Sequence, residues 1–173
     1  MATRKHLRYA ISALVTCAAV ATFNGTASAA DPSGVWWVAD HSARIRIEPC
    51  ADGYWGVIAW ERQPGIDDKN PDPSKRGKPM LGVPILISMK PSQPNEWEGK
   101  VYNPKDGGFY TARISLQRPD VLKLEGCMWV FCSGENWTRA SAQDQITTGA
   151  ASNQPNARNV CPRGVQAQPQ RRN

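Results

Sequence analysis

The sequence predicts an all-β protein whose folded part is one small antiparallel barrel of about eight short strands. Three observations lead to this prediction. Apolar residues recur with a period of two between turn-forming Gly, Pro, Asn and Asp residues. No long stretch of the central region has the 3.6-residue period of an amphipathic helix. Seven Trp residues supply large side chains to a small core, and closure of the sheet leaves no exposed edge strand.

Residues 1–30 are predicted to be a cleavable signal peptide. A basic start precedes an apolar run from Tyr9 to Phe23 and a series of small residues before Ala30. This run is shorter than the roughly 20 residues that span a bilayer as a helix. Cys17 follows a weak lipoprotein-like box, so lipidation at Cys17 is the alternative. We therefore expect a mature chain from about Asp31, in the periplasm or secreted, with no transmembrane segment.

The charge balance changes when this segment is removed. The formal charge of +6 falls to +3, because Arg4, Lys5 and Arg8 are lost. The segment after Arg139 carries the remaining +3, so residues 31–139 are neutral with 14 basic and 14 acidic side chains. The basic residues thus lie in the two ends, and we expect no nucleic-acid partner.

The composition divides the mature chain into two parts. Residues 31–139 contain the strand pattern and are expected to form one barrel domain. Residues 140–173 are rich in Ala, Ser, Gln, Asn, Pro and Arg. Such a segment has too few apolar residues to offset the entropy of ordering, so we expect a low-complexity, disordered tail, except near Cys161.

The predicted strands follow one another with clear turns between them. The inward residues expected along the chain are Ile45 and Ile47, then residues within Tyr54–Trp60, then Val83, Ile85, Ile87 and Met89, then Trp97, Gly99 and Val101, then Tyr110, Ala112, Ile114 and Leu116, and finally Leu122, Leu124, Met128 and Trp137. Residues 63–79 interrupt this rhythm with several Pro and Gly residues. A loop of this length is expected to be a lid over one end of the barrel.

No residue pattern predicts catalysis. The mature chain has one histidine, His41, in a predicted turn, and no Gly-x-Ser-x-Gly elbow is present. The segment 68–72 fails the calcium-loop pattern, because Pro73 and Pro79 replace its required Gly and Glu. Carboxylates for glycosidase-type chemistry are available at Asp67, Asp68, Asp72, Glu96 and Glu98. We expect no enzymatic activity, no metal and no cofactor.

Four cysteines remain after signal removal, at positions 50, 127, 132 and 161. An even number in an exported protein predicts disulfide bonds, and four cysteines allow three connectivities. A Cys127–Cys132 bond across a tight bend is favoured, and it would leave a Cys50–Cys161 bond to attach the tail to the barrel.

Several segments together resemble a bacterial exported family, the domain of unknown function 2147. They are Gly34-Val35-Trp36, Asp68–Pro73 with Arg76, Pro79 and Gly82–Leu86, Asn103-Pro104 with Gly107 and Tyr110, and Gly126-Cys127 through Trp137–Arg139. The resemblance implies a lipocalin-like, calycin-type barrel. It also implies that Trp36 packs beside Arg139 and closes the barrel floor.

This fold is expected to bind one small apolar or amphipathic, lipid-like molecule without transforming it. The candidate lining residues are Trp55, Val57, Ala59, Ile85, Ile87, Trp97 and Val101. One alternative is an envelope interaction module with a filled barrel that acts through loop 63–79. A second alternative is a carboxylate-based hydrolase.

Overall fold

The structure is a computed structural model that describes residues 30–128, 131–144 and 159–162. The strands in chain order are β1 (Gly34–Trp37), β2 (Ala43–Cys50), β3 (Gly53–Glu61), β4 (Ile66–Asp67), β5 (Lys78–Pro79), β6 (Pro84–Gln93), β7 (Glu96–Asn103), β8 (Gly108–Arg118), β9 (Val121–Met128) and β10 (Phe131–Arg139). A 3-10 helix spans Pro73–Lys75. The predicted signal peptide, including Cys17, lies outside the described residues apart from Ala30.

Eight of the strands form a closed barrel in the order β1-β10-β9-β8-β7-β6-β3-β2, and β4 and β5 form a separate two-stranded sheet. All pairs in the barrel are antiparallel. The ring closes where Trp36 pairs with Arg139 and Trp37 with Thr138. The predicted small antiparallel barrel is therefore confirmed.

The floor of the barrel is built around Trp36, which is fully buried. The Arg139 guanidinium lies 4.1 Å from the Trp36 ring centroid and donates hydrogen bonds to the carbonyls of Ser33 and Pro119, each at 2.7 Å. Gly34 leaves room for this arrangement, because a Cβ there would lie 2.6 Å from Arg139 Nη1. These contacts join both ends of the barrel chain at one place.

The inward faces of the strands fill the barrel beside the floor. The largest fully buried side chains of this core are Ile45, Ile47, Leu86, Met89, Ile114, Leu122 and Trp137. The pattern differs from the prediction on β6, where register shifts between Ile87 and Lys90 accompany the positive φ of 51° at Ser88. The bulge breaks the strict alternation, so Leu86 and Met89 are fully buried while Ile87 is only half-buried.

A second buried layer lies on the outer face of β1–β3. Val57 alternates with the core residue Ile58 and so points away from the barrel interior, and Ala59 is the extra residue of a bulge between Ile58 and Trp60. Both lie outside the main core cluster, yet they are 1% and 0% exposed. Val35 is also buried, and it pairs with Arg46, which pairs in turn with Val57. Both faces of this part of the sheet are therefore shielded from water.

The described parts of the tail lie against the same side. Arg44 is buried between Trp37 and Trp60, with its guanidinium 4.5 and 4.4 Å from the two ring centroids. Arg44 donates a hydrogen bond to the main-chain carbonyl of Asp144, and Trp37 Nε1 donates to the Asp144 carboxylate at 3.5 Å. Residues 140–144 thus pack on the barrel rather than extending freely.

The described residues contain two disulfide bonds. Cys50, at the end of β2, is bonded to Cys161, and the adjacent Val160 is 2% exposed. Cys127 is bonded to Cys132, which is its register partner across the β9–β10 hairpin. The first bond therefore attaches the second described part of the tail to the barrel. Residues 145–158 and 163–173 of the predicted tail lie outside the described residues.

In the part of the chain that the structure describes, no helix is long and apolar enough to cross a membrane.

Candidate functional site

The end of the barrel opposite the floor contains a cavity of about 670 Å³. The connections β1–β2 and β7–β8 and the adjoining ends of β9 and β10 surround it, because antiparallel strands bring alternate ends together. Its inner walls come from strands β2, β3, β6, β7, β9 and β10 of the barrel and are mostly apolar. They include Ile45, Ile58, Ile85, Val101, Leu124 and Trp137.

The rim of the cavity is also apolar on one side. Met128 and Phe131 face each other as register partners at the β9–β10 hairpin and line the cavity. They are 59% and 79% exposed, which is unusual for large apolar side chains. Val38 lines the cavity from the β1–β2 connection. The mouth thus presents an apolar surface continuous with the apolar walls.

Few charged groups of the described residues reach the cavity. Asp40 and Lys105 line it from the β1–β2 and β7–β8 connections. Glu135 lines it from the middle of β10, and its carboxylate accepts a hydrogen bond from Trp137 Nε1. The site therefore combines apolar walls with a small number of placed polar groups, as ligand pockets do.

Of the seven predicted lining residues, Ile85 and Val101 line this cavity. The other five do not. Trp97 is a core residue with its ring against Tyr54 at 5.9 Å, and Ile87 lies at the β6 bulge. Trp55 and Val57 lie on the opposite face of β3 from Gly56 and Ile58, which face the interior, and Ala59 lies at the β3 bulge. The prediction placed β3 one residue out of phase, because both of its faces are apolar.

The lining residues on β9 and β10 were not all predicted. Leu124 and Met128 were expected to face inward on β9, but Phe131, Ser133 and Glu135 of β10 were not expected to line a site. The available signal was strand alternation counted back from Trp137, which places residues 135, 133 and 131 on the same face. Phe131, Ser133 and Glu135 differ in polarity, so the sequence shows no apolar pattern that would identify this face as the inner one.

The loop of residues 63–79 is attached beside the cavity mouth. Asp67 is 1% exposed and accepts hydrogen bonds from Tyr102 Oη at 2.7 Å and Asn70 Nδ2 at 2.6 Å. Gly107 has a φ of 76°, and a Cβ there would lie 2.0 Å from the Lys69 carbonyl oxygen. The loop therefore packs closely on the β7–β8 connection. Its residues do not line the cavity.

Replacing Tyr102 by phenylalanine is expected to lower the free energy of unfolding by about 1–3 kcal/mol, because the buried Asp67 carboxylate loses a donor. Burial and the neighbouring Asp67 raise the pKa of Tyr102, so the folded protein favours its neutral form. That contribution is complete below about pH 10, the ordinary tyrosine pKa, and is lost as the pH rises further. Wild-type protein should therefore lose more stability in alkali than Tyr102→Phe.

Urea unfolding at pH 7 and above pH 10 measures both effects. The matched control is Tyr110→Phe, since Tyr110 Oη donates to Asp106 at the surface at 2.8 Å, and its loss is expected to cost less than about 0.5 kcal/mol. Equal losses for the two variants at pH 7 would show that the Asp67 contact does not hold the loop.

The carboxylates considered for catalysis do not meet in the cavity, since Asp67, Asp68, Asp72, Glu96 and Glu98 do not line it. Glu96 and Glu98 lie 3.9 and 3.3 Å from Arg113, and Asp72 accepts hydrogen bonds from Ser74 at the 3-10 helix. His41 is exposed in the β1–β2 turn with its ring stacked on Trp37. Among the described residues, no group of three or more His, Cys, Asp and Glu side chains is placed to hold a metal ion.

Comparison with known proteins agrees with this architecture. Residues 34–139 match the model of a family described as an uncharacterized protein conserved in bacteria (DUF2147). A similar solved structure is protein HP1028 from the human pathogen Helicobacter pylori, which is described as belonging to the lipocalin family. The identity is 17%, the TM-score is 0.61, and the match covers 69% of this chain and 89% of that chain. This likeness shows a shared lipocalin-like fold. No curated protein matches the chain.

Proposed function

We propose that this chain, which belongs to the DUF2147 family of bacterial proteins, is an exported protein that binds one small apolar or amphipathic molecule in its barrel. It holds this ligand without transforming it. The observation that carries the proposal is the open cavity of about 670 Å³ with predominantly apolar walls. Pockets for small molecules commonly have about 300–1,000 Å³ and this kind of lining.

The cavity favours ligand binding over the alternative of a filled barrel that acts through its long loop. In a filled barrel, side chains would occupy the space at the end opposite the floor. Here the wall at that end includes the small residues Gly126 and Ser133, which leave the space open. The loop of residues 63–79 is instead anchored through the Asp67–Tyr102 contact. The open cavity and the anchored loop beside its mouth support a barrel that holds a ligand.

The positions of the carboxylates relative to the cavity support a binding protein over a hydrolase. Asp67 is buried in the loop, whereas Glu96 and Glu98 pair with Arg113 on the outer face of β7, away from the cavity. A glycosidase places two carboxyl groups about 5–10 Å apart on either side of the scissile bond. The carboxylates that line the cavity, Asp40 and Glu135, come from its mouth and from the middle of β10.

Export to the periplasm or beyond is supported by the disulfide bonds and by the signal-like start of the sequence. The cysteines at positions 50, 127, 132 and 161 are all bonded. Such bonds persist in oxidising compartments. The proposed ligand is therefore a lipid-like molecule met outside the cytoplasm.

Native mass spectrometry of protein purified from the envelope of the producing cell tests this function. A retained species of constant mass is expected, and it should be released by an organic solvent. Repeated purification of wild-type protein without any bound species, together with failure to take up an apolar dye, would contradict the proposal.

Gly126→Leu is expected to reduce binding of the retained species by about tenfold or more, because the new side chain occupies the cavity. The Cβ at this position would lie 3.4 Å from Val101 Cγ1, an ordinary contact, so the variant should fold. Thr111→Leu is the matched control, since Thr111 is exposed and pairs with Cys127 on the outside of the barrel. Equal loss of binding in both variants would argue against the cavity as the binding site.

A further inference from the structure

We propose that the cavity selects amphipathic ligands with a cationic or amine head group, which binds at Glu135. This inference rests on the proposed ligand-binding function and adds the chemical class of the ligand. It is carried by the position of one carboxylate inside the barrel.

Glu135 faces the interior by its register. It pairs with Leu124 on β9, and it lies two residues before Trp137 on β10. Residues two apart on a strand point to the same face, and both Leu124 and Trp137 belong to the core. Glu135 is nevertheless exposed, because the space in front of it is the cavity that it lines.

The carboxylate has a fixed position and, within the described part of the chain, no positive partner. Trp137 Nε1 donates a hydrogen bond to Glu135 Oε1, which orients the side chain along the wall. Among the described residues, no Lys or Arg nitrogen lies within 4.0 Å of this carboxylate. Indole has a single N–H donor, so the second carboxylate oxygen still has capacity to accept. A ligand N–H group would fill that capacity with a charge-assisted hydrogen bond.

The surroundings of Glu135 favour an amphipathic cation over other charged molecules. Among the described residues, the charged side chains that line the cavity are Asp40, Glu135 and Lys105, so negative charge exceeds positive charge there. Lys105 comes from the β7–β8 connection at the mouth, whereas Glu135 is halfway along its strand. A carboxylate or phosphate head group inside the barrel would meet Glu135 as a like charge. An ammonium group would be attracted to it.

The apolar residues determine where the rest of the ligand lies. Met128 and Phe131 extend the wall from Glu135 toward the mouth and expose most of their surface. An alkyl or aromatic portion beside these side chains would cover apolar area on both partners, which is favourable. The ligand therefore enters with its amine first and leaves its apolar portion along the β9–β10 hairpin.

Isothermal titration calorimetry at pH 7 with decylamine, decanol and decanoate, each below its micelle concentration, tests this preference. Decylamine is expected to bind wild-type protein about tenfold or more tightly than decanol, with decanoate weakest. Glu135→Gln keeps an acceptor for Trp137 but removes the charge, so it should reduce this difference to about threefold or less. Glu135→Asp keeps the charge and should retain a preference for the amine.

The matched control is Glu98→Gln, which changes an exposed carboxylate on the outside of β7 and should leave the order of affinities unchanged. Equal binding of the three probes to wild-type protein would overturn the amine preference and leave the binding function standing. Survival of the preference in Glu135→Gln would also overturn the role of Glu135. If none of the three probes binds wild-type protein, the proposed function fails and the preference fails with it.

Discussion

Replacing Trp36 with alanine is expected to lower the free energy of unfolding by about 3–5 kcal/mol, the usual cost of deleting a fully buried aromatic side chain. Trp36 is 0% exposed. Its loss also removes the surface on which the Arg139 guanidinium lies, 4.1 Å from the ring centroid. The guanidinium would then face a void while its hydrogen bonds to Ser33 and Pro119 remain. We therefore expect a large loss of stability that rearrangement of the neighbouring side chains does not recover.

Guanidinium chloride unfolding followed by circular dichroism measures this loss without depending on tryptophan fluorescence. The matched control is Trp55→Ala, since Trp55 is only half-buried and its Nε1 donates to Asp52 at 2.8 Å. The control should cost clearly less than Trp36→Ala. If the two variants lose equal stability, the contacts of Trp36 at the floor contribute no more to the free energy of unfolding than those of the half-buried Trp55.

Removing the Cys50–Cys161 bond, by the double change Cys50→Ser and Cys161→Ser, is expected to cost up to about 4–5 kcal/mol. The two cysteines are separated by 111 positions, so the bond greatly restricts the unfolded chain. It also holds Val160 in its buried position beside the barrel. The expected result is a marked fall in the midpoint of unfolding for the oxidised protein.

The matched comparison is the double change Cys127→Ser and Cys132→Ser. These residues are separated by only 5 positions, and the same chain-entropy relation gives about 2 kcal/mol for so short a loop. Both variants should be measured under oxidising conditions beside wild-type protein. A smaller loss for the long-range bond than for the hairpin bond would show that the tail contributes no stability through its attachment.

The sequence was sufficient for the eight barrel strands because their turns are marked by Gly, Asn, Asp and Pro, but not for the short strands β4 and β5, which lie in the predicted loop 63–79. It was not sufficient for the faces of β3. Alternation normally separates a wet face from a dry one, but Val57 and Ile58 are both buried. Both the outer and the inner side of β3 are shielded from water. The residues that shield the outer side are distant in the sequence, so the local pattern of β3 does not indicate them. The inward-facing residues of β3 were chosen from hydrophobicity alone, and that choice was therefore wrong.

The cavity was harder to predict for a related reason. Ser133 and Glu135 on β10 have the polarity of surface residues, and such a pattern ordinarily indicates a solvent-facing strand. Here the polar residues face the space inside the barrel, which is open at the mouth. A cavity wall and an outer surface therefore have similar sequences. The floor was easier, because Trp36 and Arg139 are identified by a family resemblance that does not depend on alternation.

The seam of the barrel has a consequence for the order of events during folding. β1 meets β10 through two register pairs, Trp36 with Arg139 and Trp37 with Thr138. Until the ribosome releases β10, β1 has a partner on one side only. Its free edge is then available to any other extended chain. A protein that ends before Phe131 would keep two open edges, and we expect it to self-associate instead of remaining a monomeric sheet.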